Sequence, residues 1–177
     1  MQSRQRITCW KDNQDGVTAV EFALVGIPFI LMVIGIIEMA LMFASQSLLE
    51  ASVAQGAREI RTGAVQQGGG DDLFRDTVCD YASVFIACDD LQYQVVAIDS
   101  FQEAEDFPDP EFDDEGNLQD QSFDAGGVND IVMIRVAYRY IVKTPMMQLL
   151  LTNNDDGSRI LLSTVVLQSE PYEFQDD

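Results

Sequence analysis

Residues 14–37, QDGVTAVEFALVGIPFILMVIGII, decide the architecture of this chain. No residue from Phe22 to Ile37 is charged, and apolar character extends from Val17 to Phe43. Wound as an α-helix, the 27 residues 17–43 would reach about 40 Å. That is enough to cross the roughly 30 Å hydrocarbon core of a bilayer with some tilt. Pro28 is tolerated in a membrane helix and is expected to bend it. Arg4, Arg6 and Lys11 lie on the N-terminal side, so the positive-inside rule predicts a cytoplasmic N-terminus and an extracytoplasmic C-terminal part. Within this apolar setting one acid stands out. Glu21 follows Gly16 by only five residues, and a charge there is costly unless it lies outside the lipid or is paired.

The whole chain has 177 residues, enough for one modest domain beside one membrane segment. Its charge is regional: residues 64–177 carry 24 acids and 5 bases, a net charge of −19. Such a surface repels phosphate backbones and anionic headgroups, which argues against a nucleic-acid partner. Solubility, or a salty medium, accounts for acidity of this kind. Histidine is absent. Its absence removes the commonest general base and metal ligand, and with them any Ser-His-Asp or Cys-His arrangement. No enzymatic activity, cofactor or metal is therefore expected.

Several N-terminal signals compete for residues 1–43. A secretory signal has a shorter apolar region closed by a small-residue cleavage site, and neither property holds here. A lipoprotein signal fails because Cys9 precedes the apolar run. A plain signal anchor fits the length but gives Gly16 and Glu21 no role. A short basic leader ending at Gly16, then a helix from Val17 with Glu21 as its fifth residue, resembles the class III signal of type IV pilins and pseudopilins. GVTAVEFALV, the apolar run and AREIRTG at residues 57–63 are similar in particular to the TadE-like minor pseudopilins of tight-adherence (Flp-type IVb) pilus systems. A Cys pair, an alternating segment running into KTP, and TVVLQSEPYEF near the C-terminus agree with that resemblance; residues 100–128 match it least.

The resemblance implies cleavage between Gly16 and Val17 by a prepilin peptidase, with the apolar helix retained. It implies partners among other pilins, pseudopilins and the assembly machinery at a bacterial inner membrane, with the C-terminal domain in the periplasm. It also implies that Glu21, beside Phe22, pairs during assembly with the new amine of Val17 on a neighbouring subunit. Alternatively, Glu21 sits solvated at the cytoplasmic interface, where the helix macrodipole favours an acid. Glu38, about 25 Å further along the helix, is expected at the outer interface as a boundary acid without a partner.

Beyond the membrane the helix is expected to continue. Leu49, Val53, Ala57 and Ile60 form one apolar face, Gly63 is the expected C-terminal cap, and QQGGG reads as a flexible linker. Phe74, Val78, Tyr81 and Phe85 fall at helical spacing in a second helix over 72–85. Cys79 and Cys88 are the only cysteines beyond the membrane segment, where a disulfide is permitted. One unbroken helix would separate them by about 13 Å, so bonding requires the helix to break before Cys88; two free thiols are the alternative. Strands are expected at 91–98, 131–142 and 159–168, with Val132, Ile134, Val136, Tyr138, Tyr140 and Val142 on one apolar face. After Pro145, MMQLLL is expected in the core.

The acidic stretch 99–127 reads as a solvated or locally disordered loop. Its sharp alternative is a calcium loop with Glu111, Asp113, Glu115 and Gly116 at the first, third, fifth and sixth positions, although Ser122 falls where a bidentate Glu is needed. The expected fold class is α+β, pilin-like: a long N-terminal transmembrane helix continuing into a small antiparallel-sheet domain. The segments are a leader over 1–16, a membrane helix over 17–43, its extension over 44–63 and an extracytoplasmic domain over 64–177. The competing function is an unprocessed, signal-anchored binding domain, dependent on calcium if the acidic stretch binds it.

Overall fold

The computed structural model describes residues 16–152 and 157–172. The expected leader, with Cys9, lies outside the described residues apart from Gly16. A continuous helix, α1 (Val17–Arg61), runs through Pro28. Its end is set by local chemistry. Gly63 takes a left-handed φ of +82° and donates its N–H to Ile60 O at 3.1 Å, while Ala64 N–H returns to Glu59 O at 3.0 Å. This pair of reversed bonds satisfies the last carbonyls of the helix, and glycine reaches the required φ without a Cβ clash. Arg58 and Arg61 add positive charge in the last turn, where the helix dipole favours it.

QQGGG is not an open linker. Val65–Gly69 forms one wide helical turn in which Val65 is buried and Gln66 Nε2 donates to Ala125 O at 2.8 Å. The chain then packs back on α1 as α2 (Gly70–Ala82). Phe74, Val78 and Ala82 face inward, a strict i, i+4, i+8 stripe. Gly56 of α1 lets them close in: a Cβ there would lie 2.6 Å from Val78 Cγ2 and 2.7 Å from Phe74 Cε2. The expected placement of Tyr81 and Phe85 on this face is corrected. Both are more than half exposed: Tyr81 sits one residue off the inward stripe that ends at Ala82, and Phe85 lies past the helix end, where Ile86 takes the inner position. Cys79 and Cys88 are bonded, with Cα atoms 5.3 Å apart; the break after Ala82 is what permits it.

The sheet holds three antiparallel strands in the order β1 (Leu91–Ile98), β2 (Ile131–Ile141), β3 (Ser158–Gln168). Register runs from Leu91↔Tyr138 to Ile98↔Ile131 and from Ile131↔Gln168 to Ile141↔Ser158. Period-two alternation sends Tyr93, Val95, Val132, Ile134, Val136 and Leu161 into one core with Leu49, Val53, Ala57, Ile60, Phe74 and Val78 of the helices. Phe74 meets Tyr93 edge to face at 5.8 Å between ring centroids. The fold is thus α+β, with a long apolar N-terminal helix and a small antiparallel sheet.

The acidic stretch is mostly exposed, as expected of a solvated loop, but it holds local structure where the alternative was local disorder. A short helix, α3 (Phe101–Asp106), is capped by the Ser100 side chain, which accepts from Glu103 N–H. Further on, Val95 N–H donates to Ser122 O and Asp124 N–H to Val95 O, both at 2.8 Å, so the stretch pairs with the free edge of β1. It also meets side chains on the sheet face away from the helices. Arg135 is buried there, donating to Pro108 O at 2.8 Å and to Gln94 Oε1 at 3.4 Å, with its guanidinium 5.1 Å from the Phe107 ring centroid. Covering an otherwise exposed strand edge and an embedded cation is the physical reason this polar segment folds.

Pro145 opens a last helix, α4 (Pro145–Leu151), at its first turn. The expectation that MMQLLL packs in the core is corrected. None of its residues is buried, and Leu149 and Leu150 are 88% and 73% exposed. Placed after the end of β2, it lies instead beside α1, where a Cβ on Gly35 would come within 3.0 Å of Met147 Sδ.

Candidate functional site

The first half of α1 offers side chains to its surroundings on every side. Its most apolar 18-residue window has a mean hydropathy of 2.6, and only 6% of it is buried against the rest of the chain. A helix apolar all round and uncovered by its own protein is one whose solvent is lipid or other helices. By length and composition α1 is able to cross a membrane, consistent with a single-pass anchor.

Gly16, Val17, Glu21 and Phe22 all lie at the start of this helix and are exposed, Phe22 by 78%. No described residue lies within 4 Å of a Cβ built on Gly16. Val17 and Glu21 are one turn apart and therefore share a face. Glu21 makes no hydrogen bond or ion pair with any described residue.

Glu38 behaves differently, and its expected role as a partnerless boundary acid is corrected. Its side chain is 7% exposed. Oε1 accepts the Lys143 backbone N–H at 3.1 Å and the Tyr140 hydroxyl at 3.3 Å; Oε2 accepts the Thr144 hydroxyl at 3.0 Å. The carboxylate thus ties α1 to the exit of β2 and the entry of α4. Burial, together with the neighbouring Glu38 charge and the hydrogen bond given to it, pushes the Tyr140 phenol up to about 12. A signal for this role was present in the sequence. Gly35, Glu38, Met42, Ser45, Leu49, Ser52 and Gly56 recur at three- and four-residue steps along the buried face of α1. The sequence stripe, begun at Leu49, extends four turns further toward the start of α1.

The calcium alternative is not supported by the arrangement of the acids. Asp113 turns back on its own loop, accepting from Glu115 N–H at 2.9 Å and from Asn117 N–H at 2.7 Å. Hydrogen bonds from Asn117 are the main cause that holds its carboxyl below the usual carboxylate range. Among the described residues, no three His, Cys, Asp or Glu side chains are grouped so as to share a metal ion.

Residues 16–58 match a family model described as TadE-like protein. The match starts at Gly16 and ends three residues short of the end of α1, so it bears out the resemblance over the element that carries Val17, Glu21, Phe22 and Glu38. No curated protein and no solved structure matches the chain.

Proposed function

We propose that this chain is a minor pseudopilin acting with a tight-adherence pilus system, in assembly or priming and not in catalysis. The observation that carries the proposal is the TadE-like match beginning at Gly16, on a helix whose first half is apolar and uncovered. A prepilin peptidase cuts the exposed bond between Gly16 and Val17, and α1 stays in the inner membrane with the sheet domain on the periplasmic side. Arg4, Arg6 and Lys11 before the helix support that orientation. The freed Val17 amine of one subunit then pairs with Glu21 of another. An acid in an apolar run without a partner among the described residues supports such a pairing, since an intramembrane charge is stabilised by a partner. The complete lack of histidine supports a role without catalysis.

Intact-mass and N-terminal analysis of the membrane-extracted protein tests the proposal. The expected product begins at Val17. A chain still beginning at Met1, in cells that process their other pilins, overturns it. For the pairing step, Glu21→Gln is expected to fold normally yet to lose copurification with the pilus machinery; unchanged copurification argues against that step.

A further inference from the structure

Two separate elements place uncovered apolar side chains beside α1 at nearly the same height. α4 lies against Gly35 through Met147 and leaves Met146, Leu149 and Leu150 exposed. The loop closed by the Cys79–Cys88 disulfide leaves Val84 exposed by 71% and Phe85 by 54%. Phe85 lines a cavity of about 270 Å³ with Glu38, Leu41, Ser45 and Tyr140, which fixes its level on α1. Measured along the helix from Val17, Gly35 stands at about 27 Å and Leu41 at about 36 Å. With Val17 at the inner edge of a hydrocarbon core about 30 Å thick, those heights bracket the outer edge. At the same level of α1 itself, Ile36, Ile37 and Phe43 are each more than half exposed.

We propose that α4 and the disulfide-closed loop form an apolar collar that sinks into the outer-leaflet interface around α1, with lipid acyl chains as its occupant. The inference rests on α1 crossing the membrane, and goes beyond it by assigning a second membrane contact to the folded domain. Short amphipathic segments bury about 5–10 Å into this zone when their apolar faces meet it. The Glu38 hydrogen bonds to Tyr140, Lys143 and Thr144 hold α4 at that depth. The disulfide closes the loop that carries Val84 and Phe85, giving their exposure a use.

Site-directed spin labelling of the full chain in phosphatidylcholine vesicles tests this. Cys9→Ser removes the free thiol, and single cysteines are introduced at Leu149, Phe85, Phe29 and Gln119. The label at Phe29 reports on the membrane helix, and that at Gln119 on the exposed acidic segment. Collisions with dissolved oxygen, which concentrates in lipid, are compared with those of a water-soluble nickel chelate. Labels at 149 and 85 are expected to favour oxygen at shallow depth, label 29 to favour it at greater depth, and label 119 to favour nickel. Labels 149 and 85 favouring nickel while label 29 stays deep would overturn the collar and leave the membrane helix standing. A label 29 that favours nickel removes both. Protection of label 149 from both reagents, with dipolar broadening between copies, also overturns the collar by assigning that face to a second chain.

Discussion

Replacing Glu38 by alanine is expected to release α4 and the end of β2 from the membrane helix. Three hydrogen bonds reach this carboxylate, at 3.0, 3.1 and 3.3 Å. Bonds to a charged acceptor are each worth about 1.5–3 kcal/mol. The Tyr140 and Thr144 hydroxyls recover part of that by turning to water, while the backbone N–H of Lys143 has no rotation available. A net loss of about 3 kcal/mol follows, equivalent to roughly a hundredfold rise in the open population. Glu38→Gln keeps a carbonyl oxygen for Lys143 N–H and presents an amide that Thr144 Oγ accepts. Its cost, mainly lost charge assistance, is about 1 kcal/mol, or roughly fivefold. Hydrogen exchange by mass spectrometry, on the full chain in phosphatidylcholine nanodiscs, reads both numbers from peptides covering residues 140–151. Alanine is expected to accelerate exchange there far more than glutamine does, with peptides of α2 unchanged. Equal acceleration by the two substitutions would refute the hydrogen-bond account; no acceleration by alanine would refute the clamp itself.

At the α1–α2 contact, Gly56→Leu drives a side chain into Phe74 and Val78 and is expected to destabilise the domain by about 1–3 kcal/mol or more, read as a fall in thermal midpoint. Paired replacement of Cys79 and Cys88 by serine opens a short loop worth about 2.7 kcal/mol in the chain-entropy treatment, and denaturant unfolding measures it. Alkaline titration has a definite sign. The Tyr93 and Tyr140 phenols are both pushed up to about 12, chiefly by burial, so the unfolded chain loses these protons first. Stability from the two phenols is full below pH 10 and is lost as pH rises through about 12; thermal unfolding followed across that window is expected to show the decline, and Tyr93→Phe to reduce it.

Much of the fold was legible because its signals are local. The helix follows from an unbroken apolar run, its end from Gly63, and β2 from the alternation Val132, Ile134, Val136. Those patterns depend only on helix and strand periods. The features that escaped depend on where a segment lands. MMQLLL has the composition of a core helix and becomes a surface element because β2 ends beside the membrane-proximal part of α1. The acidic stretch has the composition of disorder and is retained by backbone bonds from Val95 and by the buried Arg135, neither of which its own sequence announces. Glu38 was hidden for a different reason. Inside an apolar run, the face turned to lipid and the face turned to protein use the same residues, so the stripe through Met42 and Ser45 merges with its background.

The two acids of α1 then answer the question that the first one raises. Both sit on one helix and both are flanked by apolar residues, yet among the described residues only Glu38 finds partners. Its carboxylate is consumed by Tyr140, Lys143 and Thr144, leaving no oxygen aimed at a neighbour, and its effect is to hold the domain rigidly on the outer part of the helix. Glu21 stands 17 residues earlier, on a stretch that no part of the domain covers. So seated, the domain lies about 25 Å along the helix from it. Among the described residues Glu21 has no partner, which is what the proposed pairing with another subunit would supply. With the domain seated on the outer half of α1, the inner end is left uncovered by the described residues, as the proposed assembly role requires.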